Sequence, residues 1–222
     1  MPQCKWCDRS GIFLSLDDNG LCNNCQTIIN NEISQRMRII SESLKLVNES
    51  KNIETRISRC DLIINHIAEL LKYENKNLSF IQPVPSVLLK QLNEMRENII
   101  INTIKDDAKN IKIKVETQIT INQKISILIK FLSKLNEYKI LLKNQEIITE
   151  FERQTKRYIH KIKLTGYLEE AKKFEFKNLN KKALDQYYEA LYFVKNDDID
   201  DSLQVESIEF IENKIKLLSD KH

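Results

Sequence analysis

The chain has 222 residues and 26.2 kDa, with only three glycines and three prolines; average usage of about 7% and 5% would give roughly 15 and 11. That shortage excludes the G-x-G-x-x-G turn of a dinucleotide-binding fold, the clustered glycines of a P-loop and the closely spaced turns of an all-β sandwich. What remains is a mainly α protein, and 41% hydrophobic with 30% charged residues fits a folded chain rather than a disordered one. The net charge of +3 acquires meaning only when divided along the chain. Residues 108–163 carry thirteen Lys/Arg against five Glu, and residues 164–222 carry nine against thirteen acidic residues. No apolar run reaches the length of a membrane span, and the N-terminus lacks the apolar core of a signal peptide. The expectation is a cytoplasmic protein whose cysteine pairs are metal ligands rather than disulfides. Heavy use of Ile, Lys and Asn points to an AT-rich genome, bacterial or phage-borne.

The head carries the sharpest chemistry. Cys4-Lys-Trp-Cys7 and Cys22-Asn-Asn-Cys25 are two C-x-x-C pairs separated by fourteen residues. A two-residue spacer in a tight turn points both sulfurs to one side, and two such turns supply the four thiolates of a tetrahedral metal site. Phe13–Leu16 reads as a short strand and Asp18-Asn-Gly20 as its hairpin turn. Knuckle, hairpin and ligands at a helix start resemble the treble-clef and zinc-ribbon class of fingers over about 27 residues. The resemblance implies one structural Zn²⁺ per chain held by Cys4, Cys7, Cys22 and Cys25; spacing alone leaves zinc and iron open. Four thiolates close the coordination shell, so the metal is expected to be structural. His66, His160 and His222 have no acidic partner at ligand spacing and read as surface or boundary histidines. The head's own charge is negative, which disfavours phosphate binding, and Trp6 is expected to cover the site or meet a partner.

From residue 26 onward the apolar pattern is helical. Ile33, Met37, Ile40, Leu44 and Val47 step by four and three, as do Ile53, Ile57, Cys60, Ile64, Ile67 and Leu71. The two stripes differ in phase. Either one long helix carries a three-residue skip, or two helices meet near residues 49–52. A narrow stripe of this kind is also a coiled-coil seam, which motivates a homodimer through it. Cys60 sits on the stripe as a small buried hydrophobe.

Pro83 and Pro85 form a connector. A third helix is expected from Ser86 to about residue 116, although 111–121 also alternates with period two, as a strand would. The helix followed by an extended turn is favoured. Thr120-Ile-Asn-Gln123 is a capping-box pattern opening a fourth helix with Leu128, Phe131 and Leu135. A fifth helix is expected over about 146–164, ending before Gly166.

In residues 164–191 the spacing Tyr167, Ala171, Phe174, Ala183, Tyr187, Ala190 resembles one tetratricopeptide repeat. The usual turn glycine is Asn178 and the usual closing proline is Lys195. The resemblance implies a helical hairpin, a capping helix over about 202–218, and a binding face near Lys172 and Phe176.

The expected division is therefore 1–27 zinc finger, 28–82 long helix or helical hairpin, 83–163 basic helical middle, and 164–222 tetratricopeptide-like hairpin with its cap. No nucleophile–base set, paired-carboxylate motif or phosphate cradle stands out. The expected function is a non-enzymatic, zinc-containing adaptor or scaffold that binds protein partners through Trp6, Lys172 and Phe176. The alternative is a nucleic-acid-associated regulator using the basic 108–163 stretch. No membrane partner is expected.

Overall fold

The structure is a computed structural model describing every residue except Ser79, Asp198, Asp200, Lys221 and His222. His222 therefore lies outside the described residues. The chain is mainly helical and divides into two compact units, Met1–Asp106 and Asp107–His222.

In the first unit, the head leads directly into α1 (Asn23–Glu49). The chain turns through Ser50–Asn52 into α2 (Ile53–Ala68), so the two apolar stripes belong to two helices and not to one. The break has a local cause. Asn52 accepts from Thr55 N at 2.9 Å as the N-cap of α2, and Arg56 Nε reaches back to the Val47 carbonyl at 2.9 Å. The stripes then bury against each other: Ile40, Val47, Cys60, Ile63 and Ile67 share one apolar cluster with Tyr73 of the short α3 (Leu71–Glu74). Much of the surface that motivated a coiled-coil partner is thus packed within the chain, while Met37 stays exposed.

The long α4 (Pro85–Glu116) begins with proline at its first position, where the missing N–H costs nothing. Ser86 donates from both its amide (2.8 Å) and its hydroxyl (2.6 Å) to Glu74, a carboxylate suited to a helix start. The period-two pattern of 111–121 resolves as helix to Glu116, followed by extended backbone at Thr120. The boundary between the units falls inside α4.

In the second unit, α5 (Ile121–Leu141) starts as the capping pattern predicts, with Thr120 Oγ1 accepting from Gln123 N at 3.3 Å. The expected break near residue 164 is absent. Instead α6 (Glu146–Phe176) runs unbroken through Gly166 and joins the fifth helix to the first helix of the hairpin. The glycine serves a close approach: a Cβ there would lie 2.5 Å from Ile121 Cδ1.

The turn into α7 (Asn180–Lys195) places Asn178 at φ 57, with Leu179 N returning to the Phe174 carbonyl at 2.9 Å. Asparagine tolerates this left-handed position better than other side-chain-bearing residues, so it fills the role expected of a glycine. A short 3₁₀ turn (Asp201–Leu203) precedes α8 (Val205–Ser219), which packs on α7. Ala171, Ala183, Tyr187, Ala190, Val194 and Ile211 are fully buried in this core. Glu175 stitches the three helices, accepting from Tyr187 Oη and from Lys214 Nζ at 2.9 Å.

Among the described residues no helix is long and apolar enough to cross a membrane.

Candidate metal centre

The first knuckle is folded by its own backbone. Cys4 N donates to the Arg9 carbonyl and Asp8 N returns to the Cys4 carbonyl at 3.0 Å, with Asp8 in the left-handed region at φ 57. The second loop closes over Asp17, whose Oδ1 accepts from Asn19 N and Leu21 N, while Gly20 takes φ 79. No β-hairpin forms among the described residues of the head. Phe13 is 99% exposed, and pairing reduces to isolated bridges between Gln3 and Ser10 and between Leu16 and Cys22. The four-residue run is too short to sustain a ladder, and the turn is held by the Asp17 carboxylate instead.

These turns bring the Sγ atoms of Cys4, Cys7, Cys22 and Cys25 within 4.8 Å of one another. The Cys7 and Cys22 sulfurs are 3.9 Å apart. A tetrahedral ion with metal–sulfur bonds of about 2.3 Å requires sulfur–sulfur edges of about 3.8 Å, so the cluster fits a metal ion. Cys4, Cys22 and Cys25 are buried and Cys7 is exposed. Cys60 lies apart from them in the α1–α2 core.

The surroundings favour negative sulfur. Cys22 is the N-cap of α1 and Cys25 lies in its first turn, so the positive end of the helix dipole meets the thiolates. Cys22 N donates to Cys4 Sγ at 3.4 Å. Burial pushes the Cys4 thiol up, but donors at Cys7, Cys22 and Trp6 outweigh it and hold Cys4 well below the ordinary cysteine range. Burial, followed by the neighbouring Cys7, Cys22 and Cys4, pushes Cys25 up. One thiolate thus suppresses ionisation of another, and a bound cation would reverse this by drawing the remaining protons off.

A second set of contacts ties the head to the helices. The Trp6 and Tyr73 rings lie 5.1 Å apart, and Lys76 Nζ sits 5.0 Å from the Trp6 ring while donating to the Trp6 carbonyl at 3.1 Å. Tyr73 Oη donates to Glu32 at 2.6 Å, and Glu32 also accepts from Lys72 (2.7 Å) and Arg36 (2.9 Å). Trp6 is therefore placed against the chain's own α3. Lys172 and Phe176 lie in the other unit, where they flank one shallow surface depression, and Phe176 is 89% exposed.

Sequence reasoning missed the Glu32 hub and the pairing of His160 with Asp197, whose Oδ2 contacts His160 Nε2. Apart from the i,i+4 pair of Glu32 with Arg36, both join residues far apart in sequence that no local spacing marks.

Compared with protein-family models, curated proteins and solved structures, the chain matches none.

Proposed function

We propose that the protein is a non-enzymatic adaptor or scaffold in which a Cys₄ zinc site staples the first unit and the helices of the second unit present the partner-binding surface. The observation that carries this reading is a set of large apolar side chains left exposed on that helical array. Phe176, Tyr188, Tyr192, Phe210 and Leu217 are uncovered, although the residues between them form a closed core. Exposed aromatic side chains are enriched at protein interfaces. Zinc is favoured by the all-thiolate donor set and the near-tetrahedral sulfur spacing. The buried small residues Ala171, Ala183 and Ala190 at the helix crossings support the tetratricopeptide-like reading of the hairpin, with Lys172 and Phe176 at its binding end. A homodimer through the α1–α2 stripe forms no part of this proposal, because much of that stripe packs within the chain, with Met37 left exposed.

The test is comparative affinity enrichment from the native host with wild type and a Phe176→Glu, Lys172→Glu variant, after both are shown to be equally helical. Partners held by wild type and lost by the variant support the reading; identical enrichment refutes it.

A nucleic-acid-associated role is the second reading. It is supported by the thirteen cationic side chains of residues 108–163, and its signature would be retention of DNA or RNA that falls steeply with added salt.

A further inference from the structure

The second unit contains a cavity of about 490 Å³ beside α6, on the side facing the end of α7. Its volume lies in the range of small-molecule sites, about 300–1,000 Å³. Four cations line it: Arg153, Lys156, Arg157 and Lys163. They recur at helical spacing, so one face of α6 carries all four over about three turns. The rest of the lining is Ile159, Phe193, Ile199 and Leu203, together with the polar pair His160 and Asp197.

Charge is unbalanced on this wall. Among the described residues, Asp197 is the carboxylate lining the cavity, and it is already engaged. It contacts His160 Nε2, accepts from Ile199 N at 2.7 Å and accepts from Gln204 Nε2 at 3.2 Å. Phe193 is stacked on the His160 ring at 4.8 Å, so that part of the wall is rigid. Arg153 is held by Glu150 at 2.6 and 2.8 Å. The same carboxylate feels the charge of Arg157 without bonding to it. Lys156 and Arg157 make no hydrogen bond or ion pair with any described residue. These two exposed cations on adjacent residues, beside apolar side chains, offer a place for an anion with an organic body.

We propose that this cavity binds a small phosphate monoester, its phosphoryl group held by Arg157 and Lys156 with Lys163 beside it, and its organic part against Phe193 and Ile199. Guanidinium and ammonium groups are the side chains best suited to phosphate oxygens. The apolar side chains beside the cations favour a ligand with an organic body over inorganic phosphate alone, and a nucleic-acid strand is the competing occupant that the experiment separates. The site stands independently of the adaptor reading.

The experiment is isothermal titration of the full chain with a nucleoside monophosphate, the corresponding nucleoside, inorganic phosphate and a twenty-nucleotide single strand. Saturable one-to-one binding of the monophosphate is expected, at least ten-fold tighter than the nucleoside and tighter than inorganic phosphate. Arg157→Ala and Lys156→Ala should each weaken it at least ten-fold. Lys161→Ala removes the same charge from α6 outside the lining and should change it less than two-fold. Equal loss in Lys161→Ala, or no monophosphate binding, overturns the proposal. So does binding of the strand alone, which would assign the cations to a nucleic-acid face. A phosphate-only response equal to that of the monophosphate refutes the role given to the apolar side chains.

Discussion

Glu32→Gln should convert a pH-dependent stability into a flatter one, and the magnitude follows from the contacts at Glu32. Burial alone would raise this carboxyl, but bonds from Lys72, Tyr73 and Arg36 outweigh it and hold it at about 2, against an ordinary 4.5. At about 1.36 kcal/mol per pH unit, that gap corresponds to roughly 3 kcal/mol. The side chain is 29% exposed, and solvent screening reduces the contribution to about 1–2 kcal/mol. The sign is that of a depressed acid. The folded state favours the ionised form, so the stabilisation is complete above the unfolded-state pKa. It is lost as pH falls from about 5 towards 2. The substituted amide keeps the shape of the side chain and removes its charge. The assay is urea unfolding followed by the fluorescence of Trp6, the sole tryptophan, which reports on this unit because its ring lies against Tyr73. At pH 7 the variant should be less stable by about 1–2 kcal/mol; at about pH 3 the difference should shrink by more than half. Acid would also protonate the four clustered thiols, so metal content is measured beside each unfolding curve and the double difference is taken where both proteins are folded with the same metal content. A wild-type minus variant difference that stays constant between the two pH values would refute the assignment.

Elemental analysis should find about one metal per chain in the wild type and none in Cys22→Ser, whose head should become protease-sensitive because binding energy here is folding energy. A metal-free wild type with an ordered head would contradict this. Gly166→Ala should fail to give the roughly 0.5–1 kcal/mol that alanine ordinarily adds inside a helix, because its Cβ would meet Ile121 Cδ1 at 2.5 Å. In an Ile121→Ala background the same substitution should become stabilising, and thermal melts of the four proteins complete the cycle.

Most of the helical architecture was legible because stripes at three and four spacing have one inexpensive solution, burial on a single face. The Cys₄ cluster was legible because each C-x-x-C turn sets its own sulfur geometry locally. Thr120 was legible for the same reason: its cap needs only Gln123. Gly166 was misread as a breaker because its role lies in Ile121, 45 residues away and invisible to any local rule. The α1–α2 break was left open because two helices out of phase and one helix with a skip share the same periodicity; the Asn52 cap and the Arg56–Val47 bond decided it. Phe13–Leu16 alternates over too few residues to specify pairing, and the Asp17 side chain took over the loop. Glu32 shows locally only its i,i+4 partner Arg36, and Asp197 lies in the loop after α7; the Lys72, Tyr73 and His160 partners are 40, 41 and 37 residues away and leave no mark in the local pattern.

The head and the first helical hairpin share one apolar core. Cys4, Leu21, Cys22 and Cys25 belong to the same apolar cluster as Ile29, Ile63 and Tyr73. Cys22 is at once a candidate ligand and the cap of α1, while Lys76, in the turn after α3, donates to the carbonyls of Lys5 and Trp6 in the first knuckle. Structural zinc contributes about 10–16 kcal/mol in small peptide sites, comparable to the whole stability of an ordinary domain, about 5–15 kcal/mol. Metal bound at the tip would therefore stabilise a unit that reaches far beyond residue 27. The second unit has a separate buried core around Ala183, Tyr187 and Ile211 and contains none of the four ligands. Metal bound by the four cysteines would thus act first on the unit whose apolar cluster contains them.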